Sequence, residues 1–141
     1  GKISVAEGNP GKEKISLLSV RRENEVWVGT AAGGLYRWSE GKKKFEEIWK
    51  TTVPVTAVTE DPQNRTWIGT DGLGVHRIAA GSSSKPKQVS LDSLTITSLF
   101  VDSNANLWVG TMDGLALYHP GNDSFTWFRN NPRNGDSLAD N

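Results

Sequence analysis

Trp27-Val28-Gly29-Thr30, Trp67-Ile68-Gly69-Thr70 and Trp108-Val109-Gly110-Thr111 are one four-residue word written three times, at spacings of 40 and 41 residues. A fixed period of this size marks a repeat architecture, in which each copy is one supersecondary unit stacked on its neighbours. The flanks repeat with the word. Apolar runs at residues 15–20, 55–60 and 96–101 precede it, and polar turns at 21–25, 61–65 and 102–106 separate them from the tryptophan. Short gaps ending at Gly34, Gly74 and Gly114 follow it and lead into runs at 35–38, 75–78 and 115–118. A second polar, Gly-bearing stretch leads to runs at 45–49, 87–91 and 125–128.

Each copy therefore reads as four short strands, rich in β-branched and aromatic residues and joined by Gly, Asn, Asp and Pro turns. No window keeps a 3.6-residue period for three turns, so helix is not expected. Four antiparallel strands at a period near 40 describe a β-propeller blade. A β-sandwich also has many short strands but does not repeat a word at a fixed period.

The expected fold class is all-β, with three four-stranded antiparallel propeller blades plus one extra N-terminal strand. The blades are placed at residues 13–50, 53–92 and 94–130. Residues 1–8 read as the outer strand of a preceding blade, because Lys2-Ile3-Ser4-Val5 resembles Lys87-Gln88-Val89-Ser90. Residues 131–141 read as the lead-in to a following one. Propellers close with about four to eight blades. Three blades and a stray strand are thus expected to be a fragment of a larger propeller, or else to associate with copies of themselves through open blade faces.

The strands of a blade are labelled A to D from the channel outward. The A strands are the most apolar and are expected to lie buried between neighbours. Gly29, Gly69 and Gly110 are expected to let the next blade approach closely. Trp27, Trp67 and Trp108 would wedge into the space between blades, and Thr30, Thr70 and Thr111 would close backbone bonds at the strand end.

Composition excludes more than it indicates. The 141 residues are 35% apolar with 15 glycines, ordinary for a globular chain. No apolar run approaches the roughly 18 residues of a membrane helix, and no basic-then-apolar leader opens the sequence. Sixteen basic residues balance sixteen acidic ones, which argues against a nucleic-acid partner. The absence of cysteine removes disulfides, thiolate metal sites and a cysteine nucleophile. Six tryptophans stand against one methionine, and the repeat explains half of them.

The thrice-written Trp-[Val/Ile]-Gly-Thr, with an Asx-rich turn before it and Gly-Leu-like residues after it, resembles the two-component regulator propeller repeat. The segment from Asn131-Pro132 to Asp136-Ser137-Leu138-Ala139-Asp140-Asn141 is similar to the family's lead-in to a further A strand, and Ser93-Leu94-Thr95-Ile96 is a shorter version of it. The resemblance implies a periplasmic or extracytoplasmic sensor propeller of a bacterial hybrid two-component protein, one that recognises a glycan-derived cue. In such a protein, binding repacks a dimer and signals to a kinase across the membrane. The copies depart from one another in places. Arg21 stands where the others have Asp61 and Asp102, Leu73 lies between two glycines, and Met112-Asp113 shortens the third B–C gap.

Catalysis has little support. His76 and His119 are the only histidines and read as strand-face or surface residues; no Gly-x-Ser-x-Gly elbow marks a nucleophile. No metal site, catalytic residue or cofactor is expected. Asp61 and Asp102 are read as turn residues that bond local backbone. Lys42-Lys43-Lys44, offset by Glu40, Glu46 and Glu47, reads as a solvated hairpin tip. Trp38, Trp49 and Trp127 are candidate sugar platforms, with burial between blades as the default. The Asn64-Arg65-Thr66 and Asn122-Asp123-Ser124 glycosylation patterns carry no weight. The B–C and D–A loops share one end of a propeller, so candidate ligand contacts are Asp71, Met112 and Asp113 from the former and Thr51, Thr52, Asp92 and Ser93 from the latter. Two function classes follow: a non-catalytic binding module, with an oligosaccharide as ligand, or a structural, protein-interaction arc with no small ligand.

Overall fold

The computed structural model describes residues 13–21, 25–82 and 85–129. Within them are twelve strands and no helix. The first sheet contains β1 (Ile15–Arg21), β2 (Glu25–Thr30), β3 (Gly34–Ser39) and β4 (Lys44–Lys50). The second contains β5 (Val55–Glu60), β6 (Thr66–Thr70), β7 (Val75–Ile78) and β8 (Lys87–Val89). The third contains β9 (Ile96–Val101), β10 (Leu107–Thr111), β11 (Gly114–His119) and β12 (Ser124–Phe128). Each is a four-stranded antiparallel meander in chain order, so the all-β blade architecture read from the repeat is the fold observed. The expected N-terminal strand and the segment at 131–141 lie outside the described residues.

The first strands of the three sheets lie side by side. The Ser16 hydroxyl donates to the carbonyl of Val55 at 2.6 Å, and the Thr56 hydroxyl donates to that of Ile96 at the same distance. One Ser or Thr hydroxyl thus clamps each A strand to the next. The register then puts equivalent residues at equivalent places: Ile15, Val55 and Ile96 pair with Thr30, Thr70 and Thr111.

Two apolar cores fill the gaps between sheets. The first gathers Trp27 and Leu35 with Val55, Val58, Ile68 and Ile78. The second gathers Trp67, Val75 and Val89 with Ile96, Leu107, Val109, Ala116 and Tyr118. A Cβ on Gly69 would stand 2.5 Å from Ile96 Cγ2, and one on Gly29 would stand 3.0 Å from Val55 Cβ. Each glycine is therefore a notch, and the first side chain of the following A strand is the plug that fills it. Val55 and Ile96 are accordingly 0% and 1% exposed.

Two expectations need correcting. The A strands are not uniformly buried: β5 has a blade on each side, whereas Leu18 and Val20 of β1 and Phe100 of β9 are exposed. The exposed residues lie on the faces that no other described sheet covers. The D strand of the second blade also ends at Val89 rather than Leu91; Ser90 and Leu91 leave the ladder on the way to the next A strand.

Candidate functional site

The loops between the second and third strands of each sheet are built by the repeated threonine. Thr30 Oγ1 accepts the amide of Gly34 at 2.9 Å. Thr70 accepts the amide of Leu73 and donates to the carbonyl of Gly74. Thr111 accepts the amide of Asp113 and donates to the carbonyl of Gly114. Each loop is also stitched by backbone bonds to a segment that enters a blade, either its own or the next. Asp71 donates its amide to the carbonyl of Pro54, Gly72 and Gly74 donate to Leu94, and Met112 donates to Thr95. Thr51 donates its amide to Gly33.

The candidate contacts are thereby brought to one end of the arc. Asp71, Asp113, Thr52 and Asp92 are exposed, and Met112 is 73% exposed. Thr51 is half-buried, whereas Ser93 is 3% exposed and its hydroxyl has no hydrogen-bond partner. A short polar loop on a rigid, backbone-bonded base can hold carboxylates and hydroxyls in fixed positions, which recognition of a polar ligand requires.

The opposite end is occupied by structural chemistry. Asp61 Oδ1 accepts the amides of Gln63 and Arg65, while Oδ2 accepts the Trp67 indole N–H at 2.8 Å and the Arg65 Nε–H at 2.6 Å. Asp102 repeats the arrangement with Asn104, Asn106 and the Trp108 indole at 2.8 Å. The Trp108 indole, first among its donors, holds the Asp102 carboxyl below the usual carboxylate range. In the first sheet, which has Arg21 instead, the Trp27 indole donates to Glu25 at 2.7 Å. The Asx turn and the tryptophan are thus one device, and Glu25 substitutes for the missing aspartate.

Between the second and third sheets, Arg77 donates to Asp123 at 2.7 Å and to the Tyr118 hydroxyl at 3.0 Å, and that hydroxyl donates to Asp123 at 2.6 Å. The Arg77 guanidinium holds the Asp123 carboxyl low. Ile78 occupies the place of Tyr118 one blade earlier, beside Arg37. There a cavity of about 600 Å³ opens, lined by Glu25, Arg37, Glu46, Glu60, Asn64 and Ser82 among others. The cue missed in the sequence was this Ile78-for-Tyr118 difference beside a retained arginine. A smaller cleft of about 230 Å³ lies between Asp61, Arg65, Asn106 and Tyr118, and a third of about 310 Å³ lies on the outer face of the third sheet. None of the three is lined by the candidate loop residues.

Trp49 stacks on His76 with ring centroids 4.6 Å apart. Trp38 packs edge-on against Phe45 and donates to Glu40. Trp127 is partly buried against the second core and carries Arg129 over its face. At the hairpin tip, Lys43 pairs with Glu40, and Lys42 with Glu46 at 3.3 Å. His119 contacts Thr126 near the surface. Among the described residues no group of three His, Asp or Glu side chains could hold a metal ion, and no helix is long and apolar enough to cross a membrane.

His76 is buried, with Nδ1 unpartnered, and burial pushes its pKa below the ordinary imidazole value against a smaller opposing backbone hydrogen bond. A folded pKa below the unfolded one favours the neutral ring. Its stabilisation is therefore complete above about pH 6.5 and is lost as pH falls through the folded pKa. The melting temperature of the protein is expected to drop between about pH 8 and about pH 5 by more than that of His76→Phe. Parallel curves for the two proteins would contradict this.

Residues 51–72 and 90–113 match the two component regulator propeller family. No curated protein matches the chain in sequence. Among solved structures, the chain is similar to the extracellular domain of BT4673 from B. thetaiotaomicron, described as part of a hybrid two component system. The identity is 29%, with a TM-score of 0.72 over 90% of this chain and 18% of that one. In a second structure of that domain the identity is 30% and the TM-score 0.74, over 95% of this chain and 18% of that one. The extracellular domain of BT3049 from the same organism shares the fold at 20% identity and a TM-score of 0.69, over 87% of this chain and 18% of the other. The chain thus spans about a fifth of the length of these domains.

Proposed function

We propose that this chain, whose repeats are those of the two component regulator propeller, is a non-catalytic recognition segment of an extracytoplasmic sensory propeller. In this reading it contacts a glycan-derived cue through the loops at one end of its blades. The observation that carries it is the loop end itself. Exposed Asp71, Asp92, Met112 and Asp113 stand on B–C and D–A segments that backbone bonds tie to one another, and similar solved structures include the extracellular domain of a hybrid two component system. Because Ser93 is buried, contact falls to the exposed residues and to Thr51 and Thr52. The complete receptor would convert binding at this end into a change of packing between its subunits, with the blades serving as a rigid mount.

Calorimetric titration of the chain with a panel of defined oligosaccharides tests this. At least one is expected to bind, to be recovered unchanged, and to lose about tenfold or more in affinity when Asp71→Ala and Asp113→Ala are combined, since each removes a charged hydrogen-bond acceptor. Cleavage of a bound sugar, or binding indifferent to both substitutions, would contradict the reading. A protein-interaction arc is the second reading, and the apolar outer face of the third sheet favours it.

A further inference from the structure

The gap between the second and third sheets shows what this blade junction accepts. The Tyr118 ring enters it from the third sheet and packs edge-on against Trp67 at 4.7 Å. Its hydroxyl accepts from Arg77 at 3.0 Å and donates to Asp123 at 2.6 Å. A guanidinium and a carboxylate thus grip one phenol together, because its single oxygen both donates and accepts. What remains of the gap, beside Arg65 and Leu107, is the cleft of about 230 Å³.

The gap between the first and second sheets is the same junction without the phenol. Arg37 and Arg77 are register equivalents, each opposite the repeated tryptophan of its sheet. Ile78 stands where Tyr118 stands, one residue past the tryptophan's partner. Residues 79–86 contain no aromatic residue and no carboxylate, so that connection supplies neither a ring nor an Asp123. The carboxylate comes instead from Glu46, opposite Arg37 across the ladder and 3.9 Å from it. That separation is too long for a hydrogen bond, and Arg37 donates none among the described residues. The cavity of about 600 Å³ opens at this pair, with Trp27, Ile48 and Ile78 among its apolar lining. Its other described charges, Glu25, Glu47 and Glu60, are acidic, which disfavours an anion and suits a neutral O–H donor.

We propose that this cavity binds a neutral phenol, with its ring beside Ile78 in the place that Tyr118 fills one junction later and its hydroxyl bridging Arg37 and Glu46. The phenol is either a free small molecule or a tyrosine side chain, and the chemistry recognised is the same. Phenols titrate near about pH 10, so the hydroxyl keeps its proton at neutral pH. The site is separate from the loop end, whose candidate residues do not line it, and it stands whether or not those loops bind a sugar.

Amide-resolved NMR titration of the chain with 4-ethylphenol and with N-acetyltyrosinamide tests the proposal, and the tighter of the two identifies the source. Shifts are expected at the amides of Trp27, Arg37, Glu46 and Ile78. Binding of 4-ethylphenol is expected to exceed that of 4-ethylanisole, which cannot donate, by about tenfold or more. Ile78→Tyr is expected to fill the cavity from within and abolish binding. Should that variant not fold, Arg37→Ala decides, since its side chain is 42% exposed and its loss is expected to weaken binding about tenfold. Failure of both phenols to bind, equal binding of the anisole, shifts away from these residues, or affinity unchanged in Arg37→Ala would overturn the proposal.

Discussion

Trp67→Ala is expected to lower the unfolding free energy by about 3–5 kcal/mol, the range for removing a fully buried tryptophan. Trp67 is 0% exposed. Its ring packs edge-on against Tyr118 at 4.7 Å and Phe125 at 6.5 Å, with Arg77 over its face. The lost ring therefore leaves a void between two blades that rigid β-ladders on both sides cannot close. Trp108→Ala is the internal control. That tryptophan occupies the same position in its word but faces an open depression, so its removal exposes little that was covered. Urea denaturation of the two variants should show a clearly larger loss for Trp67. Equal losses would mean that the tryptophans stabilise their own sheets and not the contacts between blades.

Asp61→Ala is expected to cost about 3 kcal/mol, as for breaking a buried charged network on one side. The side chain is 2% exposed and joined to Arg65. Its loss leaves two turn amides, a guanidinium and a buried indole N–H without their acceptor. Asp61→Asn is expected to rescue only part of this, because its amide group turns a donor toward two donors. Asp102→Ala removes a similar set of bonds from a more exposed turn that lacks the arginine, so its loss is expected to be smaller. The double variant Asp61→Ala/Trp67→Ala should fall short of the sum of the two singles, because carboxylate and indole act as one unit. Denaturation midpoints for the four proteins check this; strict additivity would separate the turn from the wedge.

The fold was legible because the repeat imposes one solution three times. The word around Trp67 specified strand, turn and contact together, and the three copies fold into three meanders with register to match. The role of Asp61 and Asp102 was half legible. Their spacing marked the Asx turn, but the bond to the tryptophan six residues later crosses the β-ladder, and only the folded register brings the two together. Glu25 was hidden for the same reason, since it stands two residues from Trp27 and on the other side of the turn from Arg21. Open blade faces were expected, but that Leu18, Val20 and Phe100 are the residues exposed on them was not readable. A β-branched or aromatic strand looks the same whether or not a neighbour covers it, and covering is a property of the arrangement rather than of the strand. The loop end was legible as a place, through the strand order, but not as a surface. Ser93 and Asp92 are adjacent in sequence, yet one is buried and the other exposed.

Amide-resolved NMR titration of the chain with an oligosaccharide that binds it locates the recognition surface directly. Shift changes are expected to concentrate at residues 71–74, 92–95 and 112–114, with the amides lining the cavity of Glu25, Arg37 and Glu60 unmoved. Changes confined to that cavity, with the loop amides still, would overturn recognition by the loop end.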